Sequence, residues 1–533
     1  MEDFFEQIGW VVFLLIWILP RLVRFFIKRS GTTIKGKKAG PLQPKTQEPI
    51  LIPEEDFDSI ESIDVDTQKI SKDELDELAR NARALRERAE EMERTCAIHE
   101  GATAKIGDTL ESSLKTPVKA VIDFLDARIE REDYPDWDDA QRVRSTLSRL
   151  EKLAKTLEAM IEQRISPESA DTFALLDVAA QECLVPYLTH ARRMGLAYPT
   201  RFAVAVFGEP GDDMASLLGG ASIAPVVIRA KTEKLPAAWV HLASDAAFDV
   251  FHSTPGLARE IATDIGVMPA PLSLTHYSDQ TSFVAGLMGG WLARVYADTG
   301  AALMLGPAFC SGIVRWLEQS TESTEAVTTI IGDRPHMLLP PLQVRVFVAC
   351  RVLQHLGMSD DATSRWQEWN KRVDNPSDFI LQGTDGRTGT LPMKTVLGAV
   401  GRVVDYLMEE PLGALGGAAL PTIPSLVCGP EIVQQMEEVG QRFTNGEAVD
   451  VPGRVIIGAA QLAVERVNAL ERKVADTAFH SLAGDSETIE TRVRSGEPAS
   501  LAGHLQSREL LVRAIVTGAA IAPRNTRRGL NRF

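Results

Sequence analysis

Nine histidines, five cysteines and 73 acidic side chains are the groups with which this 533-residue chain could do acid–base, nucleophilic or metal chemistry. No two histidines stand at the i, i+4 spacing that presents both imidazoles on one helix face to a zinc ion. Cys96, Cys183, Cys310, Cys350 and Cys428 are scattered and never form a C-x-x-C pair, so the sequence predicts free thiols in a reducing compartment. A phosphate-binding G-x-x-x-x-G-K-[ST] loop, a dinucleotide G-x-G-x-x-G, a G-x-S-x-G nucleophile elbow and an H-E-x-x-H pair are all absent. One stretch still combines acids and bases at helical spacing. Pro255-Gly256-Leu257-Ala258-Arg259-Glu260-Ile261-Ala262-Thr263-Asp264 is followed about 30 residues later by Trp291-Leu292-Ala293-Arg294-Val295-Tyr296-Ala297-Asp298, and then by Leu305-Gly306-Pro307-Ala308.

That order, preceded by short strand-like runs, resembles the zincin-like (HExxH-type) metallopeptidases over about residues 200–360. In that family one helix carries two zinc-binding histidines around a water-activating glutamate, and a second helix supplies the third ligand. Laid onto this chain, the first histidine falls on Arg259, the glutamate on Glu260, the second histidine on Thr263, the third ligand on Arg294 and a supporting aspartate on Asp298. Arginine has no lone pair to give a metal and threonine is a poor zinc ligand, so the resemblance implies a scaffold that has lost its zinc, with no cofactor and no catalytic residue expected. Buried acids deprived of a cation need another one. The expectation is therefore that Arg259, Glu260, Arg294 and Asp298 form one charge-balanced network between the two helices. An active enzyme would need a non-standard ligand set such as His252, His276 and Glu260.

The elements that must position these residues are mainly α-helical. Leu75, Leu78, Ala82, Leu85, Ala89, Met92 and Cys96 alternate at three and four residues, the period of a buried helical seam. Val118 to Ile129 and Val143 to Ile161 repeat the pattern, with breaks expected near Pro117 and around Pro135. Residues 71–195 thus form a helical hairpin or an oligomerising coiled coil. Next comes a zincin-like α+β body over 196–450, with strands expected at 201–207, 224–228 and 237–242 and loops at 319–341 and 371–393. Further helices fill 451–533.

The first 29 residues differ from the rest. Ile8 to Leu19 is an uncharged apolar run holding Trp10, Phe13, Leu14 and Trp17, and Arg21 and Arg24 can snorkel to extend it towards the ~20 residues a bilayer requires. Acids precede it and Arg21, Arg24, Lys28 and Arg29 follow, which puts the N-terminus outside and the body in the cytoplasm. Residues 30–70 read as a flexible linker, with eight acids and no base between Thr46 and Gln68. The whole chain carries 57 basic against 73 acidic side chains, a net charge of −16, which argues against nucleic acid as a partner. The expected function is that of a single-pass, non-catalytic scaffold or regulator in a membrane-associated assembly. Its partners would be the lipid bilayer and other proteins. A membrane-tethered metallopeptidase and a homo-oligomeric structural protein are the alternatives.

Overall fold

The computed structural model describes residues 70–132, 135, 137–167, 169–198, 201–208, 223–229, 236–267, 280–319, 327–330, 340–373, 377–383, 388–444, 447, 449 and 451–466. The expected anchor residues Trp10, Phe13, Leu14, Trp17, Arg21 and Arg24 lie outside them, as does the acidic linker up to residue 69. No helix among the described residues is long and apolar enough to cross a membrane.

The described chain is mainly helical and packs around two hydrophobic cores. The first begins with α1 (Lys72–Ala97), whose start is a capping box: the Glu74 N–H donates to the Ser71 hydroxyl and the Ser71 N–H donates to the Glu74 carboxylate. All seven seam residues, Leu75 to Cys96, are buried. They are covered by α2 (Ala102–Leu110), α3 (Thr116–Glu130) and α4 (Trp137–Ile165) of the same chain, so the heptad pattern is that of an intramolecular bundle. Arg88 on α1 pairs through both Nε and Nη2 with Glu158 on α4, at 2.9 and 2.6 Å, and Arg83 pairs with Asp126 on α3.

The break expected near Pro117 is not a turn. Helix continues from Ala102 to Glu130 through a π-helical stretch, Glu111–Lys115, in which the Thr116 N–H reaches back five residues to the Glu111 carbonyl. Widening the helix by one residue just ahead of Pro117 accommodates a residue that has no N–H to donate.

Strands β1 (Phe202–Gly208) and β2 (Ile223–Arg229) form a two-stranded parallel sheet between the two cores. Val204, Val206 and Ile223 point into the bundle, whereas Ala203, Ala205 and Ala224 face the second core. With both faces buried, the strand reads as an unbroken apolar run. The open edge of β1 is closed by α5 (Ala170–Met194): Gln181 Oε1 accepts from the Ala203 N–H at 2.7 Å and Asp177 Oδ1 from the Ala205 N–H at 2.8 Å. Arg164, at the end of α4, donates to both Asp177 oxygens and to the Ala205 carbonyl. Burial pushes the Asp177 carboxyl upward, and the Arg164 guanidinium and the strand N–H pull it back.

The second core holds α6 (Pro236–Trp239), α7 (His241–Ser253), α8 (Leu257–Asp264), α9 (Gln280–Leu305), α10 (Pro307–Gln319), β3 (Val327–Ile330), α11 (Leu342–His355), α12 (Ser359–Arg372), β4 (Asp378–Gly383), β5 (Thr388–Pro392), α13 (Met393–Glu409) and α14 (Pro430–Thr444). A further helix, α15, covers residues 453–466, and the remainder of the helices expected up to residue 533 lies outside the described residues. Helix α9 is buried on almost every side from Phe283 to Leu305, the state expected of a helix that is apolar all round. Helices α7, α11 and α13 pack on it.

Two expectations fail here. The third strand at 237–242 is helical: Pro236 opens α6 and His241 opens α7. A short run buried on all sides has no period to separate strand from helix, and proline at a first helical position favours the helix. Conversely, the regions 319–341 and 371–393, expected as loops, supply a second sheet in which β3 pairs parallel with β4 and β4 antiparallel with β5. Asp385-Gly386, a hairpin dipeptide lying between β4 and β5 in the sequence, was the available signal.

Candidate functional site

Apart from the exposed His252, the polar residues of helix α7 are His241, Ser244, Asp245, Asp249 and Ser253, and their steps of three, one, four and four residues draw a polar stripe along it. His241, Ser244, Asp245 and Asp249 are buried, and each carboxylate meets an arginine from another element. Arg294 on α9 donates to Asp245 at 2.7 Å and to the Ser244 hydroxyl at 3.2 Å, with its guanidinium stacked 4.6 Å above the Phe248 ring. Asp298, one turn further along α9, accepts from Arg345 of α11 at 2.7 Å from Nε and 2.8 Å from Nη2, and from the Ser244 hydroxyl at 2.7 Å. The same Arg345 Nη2 lies 3.4 Å from His241 Nδ1, which acts as the acceptor there. At the far end of α7, Arg201 pairs with Asp249 and donates to the Ser253 hydroxyl at 2.8 Å and to the Ile223 carbonyl at 2.8 Å. Tyr198 completes this end by donating to Asp249 at 3.0 Å. Burial pushes the Asp249 carboxyl upward, while the Arg201 charge and the hydrogen bonds from Tyr198, Ser253 and Arg201 oppose it.

Three aspartates and three arginines thus balance one another inside the core. Removing paired charges from water costs several kcal/mol per ion, of order what their attraction returns, so the net gain of such a network is small. Its effect is on geometry: α7, α9, α11 and the entry to β1 have one mutual register in which every charge is met. Chemically the cluster is closed. A guanidinium does not release its proton at accessible pH, and each of the three carboxylates already accepts from an arginine.

The residues predicted from the family order divide into two groups. Arg294 and Asp298 are buried in this network and are bridged by Ser244. Arg259 and Thr263 are exposed on α8, and the Thr263 hydroxyl donates to the Arg259 carbonyl at 2.7 Å. Glu260, half-buried, accepts from the backbone N–H groups of Gly413 at 2.5 Å and Ala414 at 2.7 Å. The expected four-residue network is therefore not formed. The charges of Arg294 and Asp298 are met by Asp245 of α7 and Arg345 of α11, whereas Glu260 on α8 is taken up by two backbone amides. Nor does this donor set fit a zinc ion, since two positions are guanidinium groups, one hydroxyl is turned back on its own helix and both Glu260 oxygens hold backbone amides. Of the alternative ligands, His252 is exposed on α7 with its ring 4.4 Å from that of Phe248, and His276 lies outside the described residues.

Glu260 instead straps down a loop. Leu412, Gly413, Ala414 and Leu415 precede Gly416 and Gly417, both with positive φ, and His190 on α5 holds the Leu415 carbonyl at 2.9 Å. A pocket of about 190 Å³ lies beneath, bordered by Tyr187, His190, Tyr198, Thr254 and the strap. Tyr406 on α13 donates to Asp264 at 2.7 Å and fixes the other end of α8.

Asp245, Asp249, Arg201 and Arg345 escaped the sequence reading. For the two aspartates the available signal is the polar spacing 241, 244, 245, 249, 253 within an apolar stretch, which a strand over 237–242 would interrupt; no such spacing marks Arg201 or Arg345. No protein-family model matches the chain, and no curated protein or solved structure matches it.

Proposed function

We propose that this chain is a non-catalytic binding protein, a pseudopeptidase-like scaffold or regulator held at a membrane by its first 29 residues with its body in the cytoplasm. The observation that carries the reading is the engagement of Arg294 and Asp298. At the positions where a zincin-like peptidase would bind and support its metal, this chain has a guanidinium bonded to Asp245 and a carboxylate bonded to Arg345, both inside the core. Side chains used in this way hold helices together and have no access to a substrate. The membrane half of the proposal rests on the apolar run Ile8 to Leu19 with its basic rear flank.

The test uses the full-length protein in membranes and in detergent. Alkaline extraction should leave it in the membrane fraction, and deletion of residues 1–29 should release it. Elemental analysis should find no stoichiometric zinc, and Glu260→Gln should not change the hydrolysis of a peptide library. Zinc at one ion per chain that is lost in His276→Ala, with hydrolysis lost in Glu260→Gln, would establish the metallopeptidase alternative. Sedimentation at several concentrations addresses the oligomeric alternative. A constant monomer mass is expected, because the α1 seam is already covered within the chain.

A further inference from the structure

A second, larger cleft of about 650 Å³ opens between α11 and α13, away from the buried network. Phe347 and Arg351 border it from α11, and Lys394, Leu397, Gly398 and Arg402 from α13. The spacing explains the shape. Lys394, Gly398 and Arg402 follow one another at four residues, so they share one face of α13, and the glycine between two long cations hollows the face out. A Cβ added at Gly398 would meet nothing within 4 Å.

The charge in this cleft is opposite to that of the chain. Arg351 is neutralised: Asp405 accepts from its Nε at 2.8 Å and its Nη2 at 2.9 Å, and His355 Nε2 lies 2.8 Å from the same carboxylate. Burial alone would raise the Asp405 carboxyl, but the hydrogen bonds and charges of Arg351 and His355 hold it below the usual carboxylate range. It therefore stays ionised and occupied. Lys394 and Arg402 are exposed and have no carboxylate partner among the described residues. The N-terminal turn of α13 borders the same space without a side-chain cap, which adds partial positive charge from its N–H groups. Two unneutralised cations thus flank a hollow in a chain of net charge −16. Phe347 and Leu397 give that hollow an apolar wall.

We infer that this cleft binds a small organic oxyanion, a phosphate or carboxylate carried on an apolar or aromatic body. Lys394 and Arg402 hold the anionic head, and Phe347, Leu397 and the space over Gly398 take the body. Arginine offers paired donors matched to two oxyanion oxygens and lysine a compact charge beside them. A volume of several hundred Å³ suits a ligand of mononucleotide size. The inference is independent of the scaffold reading, since it uses neither α8 nor the buried network.

Calorimetric titration of the full-length protein in neutral detergent with phenyl phosphate, and separately with inorganic phosphate, tests it. Saturable binding is expected for phenyl phosphate, tighter than for inorganic phosphate and weakened by salt. Lys394→Ala/Arg402→Ala should weaken phenyl phosphate about tenfold or more, as loss of two charge-assisted contacts requires. Gly398→Phe, which keeps every charge and fills open space, should weaken phenyl phosphate to a similar degree while leaving the unfolding midpoint unchanged. Absence of saturable binding to the unmodified protein would overturn the inference. Retained binding in either variant would also overturn it, since the site would then be either a diffuse surface charge or no anion site at all.

Discussion

Arg345 clamps Asp298 across 47 residues of sequence, from α11 to α9, by two parallel hydrogen bonds of 2.7 and 2.8 Å with both side chains buried. The resemblance to zincin-like peptidases implies Asp298 beside Glu260; in the fold Asp298 pairs with an arginine on another helix. The pair is the centre of the network that orders α7, α9 and α11.

Arg345→Met leaves Asp298 in the core with only the Ser244 hydroxyl. Stranding one buried charge costs about 3–5 kcal/mol, whereas replacing a whole pair by apolar residues is often near neutral. Urea unfolding of Arg345→Met should show a loss in that range, and Arg345→Met/Asp298→Leu should recover most of it. A single variant as stable as the parent would mean the pair does not organise the core.

Glu260→Ala removes the acceptor for two backbone amides of the strap. Hydrogen exchange at Gly413 and Ala414 should accelerate by about tenfold or more, because each amide loses a charge-assisted bond. Residues of α9 should exchange as before. Equal protection at the two strap amides in parent and variant would count against the strap.

The bundle is held by its seam and little by its surface charges. Leu85→Ala should cost about 2–5 kcal/mol, as for a large-to-small change in a packed core. Arg88→Ala, whose pair with Glu158 is about one third exposed on each side, should cost about 1 kcal/mol or less. Chemical denaturation of both variants compares the two, and a reversed order would refute the assignment.

The buried thiols make stability depend on alkaline pH. Burial raises Cys96 to about 11, and Cys183 and Cys428 to about 12, from an ordinary value of 9.0. Above pH 9 the unfolded chain loses these protons while the native chain keeps them. Native stability should therefore hold up to about pH 9 and decline from there towards 11 and 12. Melting temperatures from pH 7 to 11 follow the decline. Thiol labelling at pH 8 should require prior unfolding.

Much of the fold was legible in the sequence wherever one face of an element is buried and the other is wet. The Leu75 to Cys96 seam and the stripes of α3 and α4 carry the helical period because charges fill the outward positions. The strands β1 and β2 were marked by β-branched and alanine runs between turns. Legibility failed where burial is complete, as at 237–242, and where strands are short, as at β3 to β5.

By itself the sequence determined a mainly helical chain with free cysteines, no common catalytic signature and two helices rich in buried-type residues carrying Glu260, Arg294 and Asp298. Only the tertiary structure decided which charge meets which. A lone arginine or aspartate on an apolar helix must find a counter-charge, but spacing along the chain cannot say from which helix it comes. Packing brought α7 and α11 against α9 and left α8 to hold the strap, so Arg294 met Asp245, Asp298 met Arg345, and Glu260 met two backbone amides. The cleft beside Lys394 and Arg402 is of the same kind, since its cations are plain in the sequence and their hollow exists only where α11 and α13 meet.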